Sequence, residues 1–177
     1  MIAKTNLKCA TGLALAALAF EMGAPAAWAT DRDSLETRLR SFNEVPAVVS
    51  PAQGRFKAWA DGTSGTVNYE LSYSGLEGNV VMAHIHIGQR GVNGGIMVWL
   101  CGTATNPGPA GTPLCPASGG VTGSISSANI LAVAAQGVAA NDFAKFTAAV
   151  RAGVAYVNVH STRYPAGELR GQLRADD

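Results

Sequence analysis

The feature that most restricts this chain is a two-residue rhythm that returns along most of its length. "GRFKAWADG" sets Phe56, Ala58 and Ala60 against Arg55, Lys57 and Trp59. "GTVNYELSYSG" sets Val67, Tyr69, Leu71 and Tyr73 against Asn68, Glu70 and Ser72. Successive side chains of a strand point to opposite faces, so alternation bounded by glycines predicts half-buried antiparallel strands. "NVVMAHIHIG", "GGIMVWLCG", "GGVTGSIS", "GVAYVNVHS" and "GELRGQLRA" extend the series. Only "ANDFAKFTAAVRAG" changes period: Phe143, Phe146 and Val150 lie at helical spacing, with Asn141 or Asp142 as cap and Gly153 as stop. "SANILAVAAQGVAA" is open to strand or helix, and residues 30–54 carry few periodic signals. Many short strands, Gly-rich turns and one short helix predict an all-β antiparallel sandwich or flattened barrel.

The first 29 residues stand apart from this pattern. Lys4 and Lys8 precede the apolar run "ATGLALAALAF", and Ala27-Trp28-Ala29 has the small-x-small form of a cleavage site. The run is about a dozen residues, short of the ~20 that span a bilayer, and it reads as an export signal. The expectation is a secreted or periplasmic protein, cleaved near Ala29, with a single domain over residues 30–177. Removing Lys4, Lys8 and Glu21 from 13 basic and 12 acidic residues leaves 11 of each. Such a balance gives no basic field for nucleic acid or an anionic membrane surface, and no later segment is apolar enough to span a membrane.

Cys101 and Cys115 remain beyond the signal. An even count in an oxidising compartment predicts a disulfide closing "CGTATNPGPAGTPLC". Thiolate metal ligation is the weaker alternative, because no CxxC spacing occurs.

All three histidines fall in two of the predicted strands. Alternation puts Met82, His84 and His86 on one face, with Val81, Ala83, Ile85 and Ile87 on the other. It separates Tyr156, Asn158 and His160 from Ala155, Val157 and Val159 in the same way. The aliphatic sets predict the core, which leaves the histidines facing outward or into a groove under the next loop. Residues i and i+2 of a strand lie ~6.6–6.8 Å apart, close enough for two imidazoles to lean onto one ion. A third from a neighbouring strand would make a three-nitrogen site. Imidazole suits copper and zinc, and a thioether from Met82 or Met97 would tilt the choice to copper. Asn158 and Glu168 are candidates to orient ring nitrogens. The alternative is that the histidines are polar strand residues and the methionines core filler.

"PAGELRGQL" also has two readings. Glu168, Arg170 and Gln172 share a face, either as an ion-paired solvated surface or as a polar floor on which Arg163 or Arg170 attracts an anion. Ser161 has no carboxylate at a telling spacing beside His160, so a hydrolase triad has little support.

"AHIHIGQRGVNGGIMVWL" and "AGVAYVNVHSTRYPAGELRGQL", with "FNEVPAVVSPAQGRFKA" before them, resemble the chordin-type (CHRD) domain over about residues 38–174. The resemblance implies an immunoglobulin-like β-barrel with limited similarity to copper–zinc superoxide dismutases. Those enzymes also present an HxH strand and a later histidine strand to copper, and His84, His86 and His160 match those positions. The dismutases use a fourth copper histidine, a bridging histidine and further zinc ligands, for which no histidine is left here. A mononuclear site survives that comparison. In chordin the domain belongs to a protein that binds secreted growth factors. Three roles therefore stand as expectations: a non-catalytic metal-binding module, a copper-dependent redox enzyme, or a module that binds a protein or small-ligand partner through the sheet face and the 102–114 loop.

Overall fold

The computed structural model describes residues 34–61 and 64–174; the proposed export signal lies outside them. The strands are β1 (Ser34–Arg40), β2 (Gln53–Asp61), β3 (Thr66–Ser74), β4 (Val80–Ile87), β5 (Ile96–Cys101), β6 (Gly119–Ile125), β7 (Ala155–Ser161) and β8 (Leu169–Leu173). They form one antiparallel sheet in the order β5-β4-β7-β8-β1-β2-β3-β6. The sheet curls until β5 and β6 approach, giving the expected flattened, nearly closed barrel.

The open seam is bridged by other bonds. The Tyr69 hydroxyl on β3 donates to the Leu100 carbonyl at 2.6 Å, and Leu131 N donates to the Met97 carbonyl on the free edge of β5 at 2.8 Å. The Cys101–Cys115 disulfide, with Cα atoms 5.0 Å apart, ties β5 to the loop leading into β6. Cys115 N donates to Gly102 O at 2.7 Å beside it. These contacts cover an edge that would otherwise present unpaired backbone groups.

The barrel interior holds the alternating aliphatic and aromatic set: Phe56, Ala58, Val67, Tyr69, Leu71, Ala83, Ile85, Val157 and Val159 are all buried there. Phe56 and Tyr69 stack with centroids 5.9 Å apart. One expected core residue is displaced. An irregularity between Val80 and Met82 puts Val80 in the core and leaves Val81 half-buried.

Strand β1, in a region with little visible rhythm, buries Leu35 and Leu39 and pairs with β2 along its full length. The ambiguous 127–140 segment is neither strand nor helix. It forms two single 3-10 turns and drops Ile130 and Val138 into the core. The one α-helix among the described residues, α1 (Phe143–Arg151), begins where Asp142 accepts from Lys145 N at 3.0 Å. It stops before Gly153, whose φ of 68° suits a residue without Cβ.

The bridge closes a loop for which the chain-entropy model gives ~3 kcal/mol. Cys101→Ser should lower unfolding free energy by about that amount in urea titration, with the β-type far-ultraviolet dichroism retained. Intact mass should fall two hydrogens short of the reduced chain. Two free thiols in freshly isolated protein would contradict the pairing.

Candidate metal centre

Strands β4, β7 and β8 are buried on both faces. Their second face carries His84, His86, Tyr156, Asn158, His160 and Arg170, and loops fold back across it. His84 is 0% exposed, His86 8% and His160 6%. The alternation therefore sorted the two faces correctly, with Ile85 inward. The choice between open solvent and a covered groove falls to the groove. The adjoining face of β8 is covered as well: Glu168 and Arg170 are buried, and the solvated ion-pair reading of that strand is set aside.

β4 and β7 are paired neighbours, and Met82 faces His160 in the register while His84 faces Asn158. This brings the three imidazoles together. Each offers one nitrogen to a cluster whose members all lie within 4.8 Å of one another. His84 Nδ1 is 3.2 Å from His160 Nε2. His86 Nδ1 lies 2.9 Å from the Gly94 carbonyl, and His160 Nδ1 lies 2.9 Å from the Pro165 carbonyl. A carbonyl oxygen only accepts, so both Nδ1 atoms carry the proton and both Nε2 atoms present a lone pair. His84 Nδ1 can then donate to His160 Nε2.

Among the described residues three buried side-chain atoms have no hydrogen-bond partner: Nε2 of His84, Nε2 of His86 and Oε2 of Glu168. Leaving a buried polar atom unsatisfied costs ~1–3 kcal/mol. The rings accept that cost in the groove instead of facing open solvent. The fold gives a partner to Nδ1 of each ring and, through His84, to Nε2 of His160, and leaves Nε2 of His84 and of His86 without one.

The walls are aromatic. Trp99 meets His84 edge to face at 4.3 Å between centroids, and Tyr156 stacks on His86 at 4.8 Å with planes 5° apart. Gly94, whose carbonyl orients His86, also donates its N–H to the Tyr156 hydroxyl at 3.2 Å. Only glycine fits there, because a Cβ would fall 1.6 Å from the Ile87 carbonyl oxygen.

The loop that supplies Gly94 is fastened by side chains that local alternation could not reveal. Arg170 is 2% exposed. It donates from Nη1 to Asn93 Oδ1 at 2.9 Å and from Nη2 to the carbonyls of Val92 at 2.6 Å and Gln89 at 3.3 Å. Its guanidinium lies 3.5 Å from the Tyr156 ring centroid. Gln172 adds a bond to the Gly88 carbonyl at 2.9 Å. Arg163, by contrast, is exposed beside Tyr164.

The other expected site residues divide. Met82 shares the histidine face and is half-buried, whereas Met97 is wholly buried in the apolar core and is core filler. Asn158 donates to Glu44 Oε1 and to the Leu169 carbonyl. Glu168 Oε1 accepts from Glu77 N at 2.9 Å. The groups that orient the rings are main-chain carbonyls, a role invisible in sequence because it depends on how two loops return.

Burial sets the protonation of the cluster. Desolvation, reinforced by the neighbouring imidazoles, pushes His84 down to about 2. Desolvation pushes His86 down to about 4, with Gly94 opposing and His160 and Arg170 assisting, and it lowers His160 too. Glu44 goes the other way, pushed up to about 7 by burial against the pull of Arg170. At neutral pH the three rings are neutral, which is the form that binds metal.

A family model for the CHRD domain matches residues 35–173. With the eight-stranded barrel and its covered histidine face in view, the chain belongs to the CHRD-domain family. No curated protein and no solved structure matches it. Among the described residues no helix is long and apolar enough to cross a membrane.

The histidine pKa values fall below their ordinary 6.5, so the unfolded chain takes up protons first as pH drops. Their contribution to stability is complete above pH 6.5 and is lost on acidification, by up to ~1.4 kcal/mol per pH unit for each ring. Glu44 has the opposite sign between its ordinary 4.5 and about 7, and it offsets roughly one ring. Tyr156 and Arg170, which also face the cluster, do not titrate in this window. The metal-free protein should therefore lose ~2–3 kcal/mol per unit between pH 6 and 5. Urea midpoints at pH 7.5, 6 and 5 measure this, and equal midpoints would show that the rings are not buried neutral.

Proposed function

We propose that this CHRD domain is a non-catalytic binding module of an exported protein, holding one transition-metal ion, copper before zinc, on His84, His86 and His160. The observation that carries the reading is the cluster of three buried, neutral imidazoles, each offering a ring nitrogen within 4.8 Å of the others, with the Nε2 atoms of His84 and His86 left without a hydrogen-bond partner. An ion between the rings would take the lone pairs of His86 Nε2 and His160 Nε2, and that of His84 Nδ1 once the His84 proton sits on Nε2 instead. Two nitrogens bound at ~2.0–2.1 Å with a tetrahedral angle between them lie ~3.3 Å apart, close to the 3.2 Å between His84 Nδ1 and His160 Nε2. The carbonyls on His86 and His160 fix tautomer and ring orientation as supporting bonds do in metal sites.

Zinc in structural sites takes four protein ligands, and the cluster supplies three. The half-buried thioether of Met82 on the same face is a soft donor that suits copper. The enclosing Trp99 and Tyr156 favour retention over turnover, which sets the redox-enzyme reading second. A docking role for the 102–114 loop is favoured by one observation, the exposed Leu114. Leu114→Ser should weaken such docking without touching metal affinity.

The test is titration of untagged protein with copper. One equivalent should bind, with thermal stabilisation that follows RT ln(1 + [L]/Kd). His86→Ala should weaken binding by more than the ~10–100-fold that loss of a supporting residue produces. Wild-type affinity in His86→Ala would end the three-ligand reading.

A further inference from the structure

We infer that the three-histidine cluster selects copper in its monovalent state, holding Cu(I) in preference to Cu(II) and Zn(II). The inference rests on the metal-binding reading above and adds the charge of the ion to it.

Charge balance favours the monovalent ion. Among the described residues the ligating cluster contains histidine alone, with no carboxylate and no thiolate. Cys101 and Cys115 are consumed in their disulfide. Three neutral imidazoles leave the whole charge of the ion uncompensated. Charging energy in a low-dielectric site grows as the square of the charge, so a dication is penalised about fourfold more than a monocation. A dication offsets part of that by bringing an anion such as hydroxide, and the aromatic walls leave little room for one: His84 is 0% exposed and backed by Trp99.

A formal positive charge also stands behind one of the ligands. The Arg170 guanidinium sits 3.5 Å from the centroid of the Tyr156 ring, and that ring stacks on His86. A cation behind one ligand raises the electrostatic cost of every further unit of positive charge at the site. Its acidic neighbour, Glu44, accepts a hydrogen bond from Asn158 and belongs to no ligand set with the rings.

Coordination number favours the monovalent ion as well. Cu(II) prefers a tetragonal set of donors and Zn(II) four. Monovalent copper is satisfied by fewer, and three nitrogens in a plane at ~2.0 Å stand ~3.5 Å apart. Nitrogens already within 4.8 Å of one another, with one pair at 3.2 Å, are roughly 1 Å from closing on that arrangement.

The experiment uses untagged protein with its disulfide intact, under anaerobic conditions for the monovalent ion. Cuprous ion is titrated in competition with a chromogenic Cu(I) chelator, and cupric and zinc ions in parallel against chelators of known affinity, each repeated on His86→Ala. The expected result is Cu(I) bound ~1,000-fold or more tightly than Cu(II), an upward shift of ~180 mV in the copper couple at 59 mV per decade. X-ray absorption of the cuprous form should give three nitrogen neighbours. Cu(II) or Zn(II) bound as tightly as Cu(I), and lost in His86→Ala, would overturn the preference while leaving the metal site standing. No histidine-dependent binding of any of the three ions would overturn both.

Discussion

The covered histidine face depends on one buried guanidinium. Arg170 enters from β8, lies over the Tyr156 ring on β7, and reaches the 88–95 loop with three hydrogen bonds. Burying an arginine is unfavourable unless its donors are met and its charge is stabilised. Here the donors meet an amide oxygen and two main-chain carbonyls, and the charge meets an aromatic face and a nearby carboxyl. The planar fork of arginine can satisfy several carbonyls at once, which a lysine ammonium cannot do in the same geometry. What Arg170 secures is the path of residues 88–95, and with it the Gly94 carbonyl that decides which nitrogen of His86 is free.

The barrel consequently has two kinds of wall. Across β1, β2 and β3 the outer face stays wet: Arg55 pairs with Glu36, and Trp59 and Glu70 are exposed. That is the usual condition of an antiparallel sheet, one face dry and the other solvated. Across β4, β7 and β8 both faces are dry, and the second is the one that holds polar side chains. Polar groups in a dry layer become specific, because each one either finds a partner or imposes a penalty. Asn158, Gln172 and Arg170 find theirs within the protein. The Nε2 atoms of His84 and His86 do not, and neither does Glu168 Oε2; what separates a binding site from a structural network is that the histidines converge in one three-ring cluster.

How much of this could be read from the sequence follows from what is local. Alternation in β2, β3, β4 and β7 depends on each strand's own residues, so the core set from Phe56 to Val159 was legible. Cysteine parity made the Cys101–Cys115 bridge legible too. β1 was obscured because Arg38, Arg40 and Glu36 surround its two leucines, and pairing with β2 secures it. Val81 was misplaced where β4 carries irregular pairing, since one displaced residue reverses which side chain faces inward. The three histidines could be recognised as sharing a face, but their burial could not. It is produced by contacts between residues about 80 positions apart, such as Arg170 with Val92.

The disulfide acts on the same site by a different route. β5 runs from Ile96 to Cys101, so Trp99 stands two residues from the bridge. The loop that the bridge closes lays Gly108 against the Trp99 ring, where an added Cβ would fall 2.6 Å from a ring carbon. Trp99 is therefore held between that loop and His84. A Gly/Pro/Thr segment with few apolar side chains cannot hold such a position by burial alone, and its ordering entropy has to be reduced in another way. The covalent link does so at the point where the loop leaves the sheet. The two loops over the histidine face are thus secured by unlike means, one by a buried charge and one by a covalent bond. Between them they keep one wall of the cluster against His84 and the other against His86.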